Sequence, residues 1–243
     1  MIVNADFKSL EVVCAFYLSQ DPIGMKEWIE GLDFHADNRD KFNLGEGEAG
    51  RFIAKVFIFR ILYGGSAFAF SKDPAFMPVS EDVEFWEDAI SAFYRKYRGV
   101  HQWHTRLMDE AIRKGRVTLP TGRFFPFQKD PSATGNQPSW PRTKILNYPV
   151  QGFGADLVLL ARVALARALI DFRDTCLFVS TVHDSIVWDC ESHVVPKVCD
   201  RVLRVFEKLP RFYEKCFGGE FNLPLRAELS VGEDWGNLEK WKE

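Results

Sequence analysis

The chain has 243 residues, 47% hydrophobic and 27% charged, with a formal net charge of −3; a chain this long can bury one large core or two interlocked ones. Its slightly acidic total argues against sequence-independent nucleic-acid binding by bulk charge. No apolar run approaches the roughly 20 residues that span a bilayer, the first six residues lack the basic start of a secretion signal, and five scattered cysteines without a CxxC pair suit buried free thiols in a reducing cytoplasm.

Residues 1–6 are predicted as a short strand. An apolar helix follows through Glu11, Val13, Cys14 and Tyr17 to Ser19, and Asp21-Pro22 breaks it. Helical patterns recur over about 46–63, 80–98 and 100–114, the last two separated by Gly99. "RVTLPTGRFFPF" (Arg116 to Phe127) is predicted as a hairpin turned at Pro120-Thr121-Gly122. The Pro-, Gly- and Ser-rich stretch over about 128–142 is a loop. A long helix is expected from about Gly152 to Phe172, then a hairpin in "FVSTVHDSIVWDC" (Phe178 to Cys190) that turns at His183-Asp184-Ser185. An amphipathic helix over about 194–208 and a last strand near Leu225 to Val231 complete the chain. A small antiparallel sheet with a mainly helical block between residues 37 and 146 makes an α+β protein rather than alternating βαβ units.

Two features carry chemistry. In "RFIAKVFIFRILYGG", Arg51, Lys55, Phe59 and Tyr63 recur every four residues and fall on one stripe of a helix. Two cations followed by two aromatic rings suit the phosphates and base of a nucleoside triphosphate; a buried helix with two snorkelling cations and core aromatics has the same pattern. From Arg51 to Lys72 there are four cations (Arg51, Lys55, Arg60 and Lys72) and no acidic residue, a local patch able to bind phosphate. The second feature is Asp184, in the turn between two apolar runs, where a carboxylate held at a strand end could carry a metal or simply form a turn; Asp6, closing the first strand, could cap the next helix.

The ordered set of motifs resembles family A DNA polymerases over nearly the whole chain. "DFKSLEVVCAFYLS" is similar to motif A, with Asp6 and Glu11 in register; "DFH" (Asp33 to His35) to the D-x-H segment; and Arg51 to Gly64 to motif B, R-x-x-x-K-x-x-x-F-x-x-x-Y-G. "GRVTLPTGRFFP" resembles the G-x-x-x-T-x-x-G-R hairpin, "NYPVQGFGAD" the N-x-P-x-Q-G-x-x-A-D helix start, and "VHDS" motif C, V-H-D-E. The bacteriophage-type branch is suggested by "AKVFIFRILYG". The fold so implied is a polymerase palm, a small antiparallel sheet flanked by helices, with a mainly helical fingers subdomain. Residues 1–36 would be the first palm part, 37–146 the fingers with the motif B helix at about 46–63, and 147–243 the second palm part. With motif A at the sixth residue, thumb and exonuclease domains are expected to be absent.

The resemblance implies template-directed addition of dNTPs to a primer 3′-hydroxyl by two-metal phosphoryl transfer. Asp6, Asp184 and the backbone carbonyl of Phe7 would hold two Mg²⁺ ions, with Mn²⁺ a possible substitute. Arg51, Lys55 and His35 would hold the β- and γ-phosphates, and Lys55 would also protonate the departing pyrophosphate. A lone histidine is also common as a satisfied surface or core group. Phe59 would stack on base and sugar, Tyr63 border the template position, and Glu11 exclude a ribose 2′-hydroxyl, unless it is simply an exposed helix carboxylate. Asn147, Gln151, His183 and Arg123 would touch primer–template DNA. Phenylalanine rather than tyrosine at 59 implies discrimination against dideoxynucleotides. The implied partners are primer–template DNA, dNTPs and a second polypeptide carrying the thumb and possibly an exonuclease, in the cytoplasm of a bacterial or phage-infected cell, with no membrane.

Three departures qualify the match. Ser185 stands where motif C has glutamate, as in the single-subunit RNA polymerases, which makes such an enzyme the main alternative; Glu11 and Phe59 point back to DNA synthesis. Arg60 replaces the motif B glycine and is expected to add a charge near the nucleotide. Upstream of "NYPVQG", Thr143 occupies the family's arginine position, with Arg142 one residue early. A further alternative is a non-catalytic polymerase remnant that binds DNA, although a remnant has no physical need to keep Asp6, Asp184, Arg51 and Lys55 together.

Overall fold

A computed structural model describes residues 1–131 and 139–242. The middle of the loop expected at 128–142, residues 132–138, lies outside the described residues. In chain order the elements are β1 (Ile2–Phe7), α1 (Leu10–Ser19), α2 (Pro22–Ile29), α3 (Phe34–Lys41), α4 (Gly47–Leu62), α5 (Ala67–Lys72), α6 (Val83–Lys96), α7 (Arg98–Lys114), β2 (Arg116–Thr118) and β3 (Phe124–Pro126). Then follow α8 (Arg142–Ala168), β4 (Cys176–Val182), β5 (Ser185–Cys190), α9 (Val195–Phe217), β6 (Ala227–Gly232) and β7 (Glu239–Lys240). The α+β class is observed. Contacts divide the chain into two compact units, residues 1–10 with 152–243, and residues 11–151.

The first unit is built on an antiparallel sheet in the order β4-β5-β1-β6-β7. Its central strand β1 alternates, with Val3, Ala5 and Phe7 buried, the period-two signature of a strand with one face in the core. α9 supplies a cover. Val195, Val198, Val202, Val205, Phe206, Leu209 and Tyr213 recur at intervals of three and four and are all buried. Phe206 meets the Phe7 ring edge-on at 4.6 Å, and burying such a ring contributes about 1.5–3 kcal/mol. α9 runs past the end expected near residue 208, through Pro210, because Leu209 and Tyr213 keep the apolar stripe going. It stops at Gly218, a left-handed cap whose N–H bonds the Glu214 carbonyl at 2.9 Å.

The second unit is mainly helical, with a core of large rings. Phe57, Phe70, Phe76 and Trp86 are at most 1% exposed, with centroid distances of 5.1 Å for Phe57–Phe70 and 5.3 Å for both Phe70–Trp86 and Phe76–Trp86. The Trp86 indole N–H is satisfied by the Ser80 carbonyl at 2.9 Å, as a buried indole requires.

Of two expected breaks, one holds and one needs correction. Asp21-Pro22 ends α1 but also starts α2: the Asp21 carboxylate accepts the N–H groups of Ile23 and Gly24 at 3.1 and 2.9 Å, and proline occupies the first turn. Gly99 does not separate α6 from α7, because α7 already begins at Arg98. Its N–H donates to the other oxygen of Asp21 at 2.6 Å, and a Cβ on Gly99 would lie 2.7 Å from the Asp21 Cα. One fully buried carboxylate thus caps two helix starts.

α8 begins at Arg142, well before the expected start near Gly152, and carries Pro149 inside. Proline there forgoes one helical hydrogen bond, but Ile145, Leu146, Val150 and Phe153 on either side are fully buried, and burial outweighs that local cost. By length and composition alone α8 would also pass as a membrane-crossing helix, although Lys144, Asp156, Arg162 and Arg167 interrupt its apolar residues. Half of that stretch is buried inside the protein.

Candidate active site

Asp6 and Asp184 belong to the first unit, where sheet register brings them together. In the β1–β5 pairing, Asp6 lies opposite Ser185, the residue after Asp184. The hairpin between β4 and β5 turns on only two residues, since Val182 pairs with Ser185. The first of these, His183, has φ +54°, a left-handed conformation that costs a non-glycine residue about 1–2 kcal/mol. The Phe7 N–H donates to the Asp184 carbonyl at 3.2 Å, tying the turn to the end of β1. The Ser185 hydroxyl donates to the Asp6 carboxylate at 2.5 Å, a short charge-assisted bond. The side chain of Phe7 is buried against Phe206, and His183 is exposed. Two hard-oxygen carboxylates thus stand at neighbouring strand ends.

The remaining candidate residues belong to the second unit. α4 buries Ala54, Phe57, Ile58, Ile61 and Leu62, while Lys55 is exposed and Arg51, Phe59 and Tyr63 are half-buried. The four-residue stripe is therefore not the helix's core face. Arg51 donates from Nε to Asp33 at 3.0 Å. Asp33 also caps α3, accepting from the Ala36 N–H at 3.1 Å; burial pushes its pKa up, but the Ala36 and Arg51 bonds outweigh this and leave it below the usual carboxylate value. His35, in the first turn of α3, is buried, and its Nδ1 has no hydrogen-bond partner. Burial, then the charges of Lys55 and Arg51, depress its pKa to about 4, so at neutral pH it is an uncharged ring. The His35 and Phe59 rings lie 6.1 Å apart, and the Lys55 ammonium lies 5.9 Å from the Phe59 ring centre.

At the far end of the stripe, Tyr63 caps α4 and its hydroxyl accepts from the Gln151 side-chain amide at 2.6 Å. Burial first, and then the Glu11 carboxylate, raise the phenol above its ordinary pKa, which keeps it protonated and links Glu11 to this end of the helix. Gly64 follows with φ +80°, and a Cβ there would meet Leu146 at 2.9 Å, so the Tyr-Gly pair has both a conformational and a packing reason. Asn147 has a buried side-chain oxygen without a partner. Arg123 stands exposed at the end of the β2–β3 turn, where its carbonyl accepts from the Leu119 N–H at 2.7 Å.

Arg60 is paired to Asp73 at 2.5 Å and lies 4.9 Å from the Phe76 ring centre. Its charge is answered within the protein by Asp73. Arg142 starts α8 and acts on the ring cluster of Tyr94 and His104. Sequence reasoning missed two pairings, Asp33 with Arg51 in the second unit and Ser185 with Asp6 in the first. The signal for Asp33 was present, an aspartate immediately before a helix start; that for Ser185 needed the strand register.

Comparisons with known proteins identify the family. The chain is 26% identical to DNA polymerase I of Treponema pallidum over 244 residues and 28% identical to the thermostable DNA polymerase I of Thermus thermophilus over 240 residues. It is 25% identical to the DNA polymerase of Bacillus phage SP01 over 244 residues. These alignments cover 97–98% of the chain but only 23–27% of the relatives' length. Among solved structures, the POL domain of Pol1 from M. smegmatis, in complex with DNA primer-template and dNTP, matches with a TM-score of 0.77 at 18% identity, over 96% of this chain and 40% of that one. With the model for DNA polymerase family A matching residues 1–237, the chain belongs to that family.

Proposed function

We propose that the chain is the nucleotidyl-transfer portion of a DNA-directed DNA polymerase, adding dNTPs to a primer 3′-hydroxyl. The observation that carries this reading is the juxtaposition of Asp6 and Asp184 at adjacent strand ends, fixed by the Phe7–Asp184 and Ser185–Asp6 hydrogen bonds. The donor set fits hard divalent cations, since carboxylate and carbonyl oxygens suit Mg²⁺ and Mn²⁺. Asp6, Asp184 and the Phe7 carbonyl would hold two such ions. Bound there, they supply charge neutralisation on the triphosphate and a more acidic 3′-hydroxyl.

The chain's own residues divide the remaining work. Arg51 and Lys55 bind the β- and γ-phosphates, and Lys55 Nζ is the proton donor to the departing pyrophosphate. Neutral His35 donates a hydrogen bond to a phosphate oxygen rather than a charge. Phe59 stacks on the incoming base and sugar, Tyr63 borders the templating base, and Glu11 excludes a 2′-hydroxyl. Gln151, Asn147, His183 and Arg123 contact the primer–template. With a net charge of −3, the chain has little sequence-independent attraction for DNA. A second polypeptide that grips the duplex is therefore part of the reading, and synthesis by this chain alone would be distributive. The implied place of work is the cytoplasm of a bacterial or phage-infected cell.

The Ser185–Asp6 bond favours one rival, a single-subunit RNA polymerase-like enzyme, whose motif C also carries serine after aspartate. Primer extension with Mg²⁺ separates the readings. Incorporation of dNTPs but not NTPs, lost in Asp184→Asn, supports DNA synthesis. Preference for NTPs supports the rival, and equal signals from wild type and Asp184→Asn refute both.

A further inference from the structure

The β4–β5 hairpin that carries Asp184 also carries, at its open end, two cysteines directly across from one another. Cys176 and Cys190 are Cα partners in the ladder. The adjoining Glu191 N–H donates to the Thr175 carbonyl at 2.8 Å, whereas the Cys190 N–H turns away to the Met1 carbonyl, also at 2.8 Å. Cys176 and Cys190 are thus a non-hydrogen-bonded pair, the position at which antiparallel side chains approach most closely and at which Cα separation falls in the range a disulfide spans. The two thiols already touch, Cys190 Sγ donating to Cys176 Sγ. A cavity of about 650 Å³ is lined by Thr175, Leu177, Asp189, Cys190 and Glu191, so a small reagent entering it meets Cys190, whose sulfur lies 2.8 Å from that of Cys176, although both residues are buried.

We propose that Cys176 and Cys190 are a thiol-oxidation site that closes to a reversible disulfide on reaction with a peroxide. The Cys176 thiolate attacks one peroxide oxygen, breaking the O–O bond and giving a sulfenic acid; the departing hydroxide takes up a proton and leaves as water. The Cys190 sulfur then attacks the Cys176 sulfur, an S–S bond forms, and the sulfenic oxygen leaves as a second water. Two thiols are oxidised by two electrons and one peroxide is reduced to two waters. The hydrogen bond from Cys190 favours thiolate at Cys176 and holds its pKa below the ordinary thiol value. Cys199 on α9 interacts electrostatically with Cys176, and burial pushes its thiol up to about 11; Cys190 is the resolving sulfur because it is already in contact with the sulfur of Cys176. The bridge would pin the open end of the hairpin and fix the register that sets Asp184 beside Asp6. The site is independent of the proposed polymerase chemistry.

The test treats the full chain with dilute hydrogen peroxide, quenches with catalase, and labels thiols with N-ethylmaleimide in denaturant before mass spectrometry. Of the five cysteines, two are expected to be protected, leaving 5 − 2 = 3 labelled, with a cross-linked peptide joining Cys176 to Cys190. Dithiothreitol should restore labelling of all five, and Cys190→Ser should form no bridge. Five labelled cysteines after peroxide, or a bridge that uses Cys199 instead, overturns the proposal.

Discussion

The Ser185 hydroxyl donates to the carboxylate of Asp6 at 2.5 Å, across 179 residues of sequence. The residue that departs from motif C is therefore the one that orients the motif A aspartate. A hydrogen bond to a charged group contributes about 1.5–3 kcal/mol, and partners that orient metal ligands alter affinity about 10- to 100-fold. Ser185→Ala is expected to weaken Mn²⁺ binding about tenfold, read by electron paramagnetic resonance, and to slow primer extension. Ser185→Thr, which keeps the hydroxyl, should recover both. Wild-type Mn²⁺ affinity in the alanine variant would remove the positioning role.

His35 gives the second unit a pH dependence of defined sign. Its folded pKa of about 4 lies below the ordinary value of 6.5, so between those values the unfolded chain binds a proton that the folded chain does not. This contribution to stability is complete above about pH 6.5, is lost as pH falls toward 4, and levels off below. Thermal unfolding midpoints of wild type and His35→Gln across this window should converge at the acid end. In NMR titrations of the His35 ring, a bound dNTP should raise the apparent pKa, because triphosphate charge opposes that of Lys55 and Arg51. An unmoved titration in the presence of saturating dNTP would place the phosphates elsewhere.

Phe59 stands half-buried on α4 with Lys55 and His35 nearby. Phe59→Tyr adds one hydroxyl where the proposed sugar would lie. Chain termination by dideoxynucleotides should rise relative to dNTP extension, as seen on a sequencing gel. An unchanged termination ratio would dissociate this position from sugar selection.

Gly99→Ala tests the shared cap. A methyl group 2.7 Å from the Asp21 Cα collides with backbone and must displace the Gly99–Asp21 hydrogen bond. Overpacking of this kind costs about 1–3 kcal/mol, expected as a lower urea midpoint with little change in slope. An alanine variant as stable as wild type would show that the two helix starts can separate freely.

Much of this was legible in the sequence because it rests on local periodicity. The α4 stripe, the Asp184 hairpin and the β2–β3 turn follow from spacing alone. α2 and α3 did not show, since Asp21-Pro22 and Asp33 signal a stop and a start with the same residues. The early start of α8 was hidden by Pro149, whose local cost is offset by burial that no window of sequence reveals. Ser185 as donor to Asp6, and Asp73 as the counter-charge to Arg60, depend on partners brought near by folding.

The pitch of α4 sets a limit on what its stripe can grip at once. Each step of four residues overshoots one helical turn by about 40°. Over the three steps from Arg51 to Tyr63, the side chains therefore climb about 18 Å and wind about 120° around the axis. A bound molecule that follows Arg51, Lys55 and Phe59 must cross the helix on a diagonal. Tyr63 then looks out in a different compass direction from Arg51, held there by Gln151. On the proposed reading, one helix thereby addresses two bodies, an incoming nucleotide along its flank and a templating base at its end.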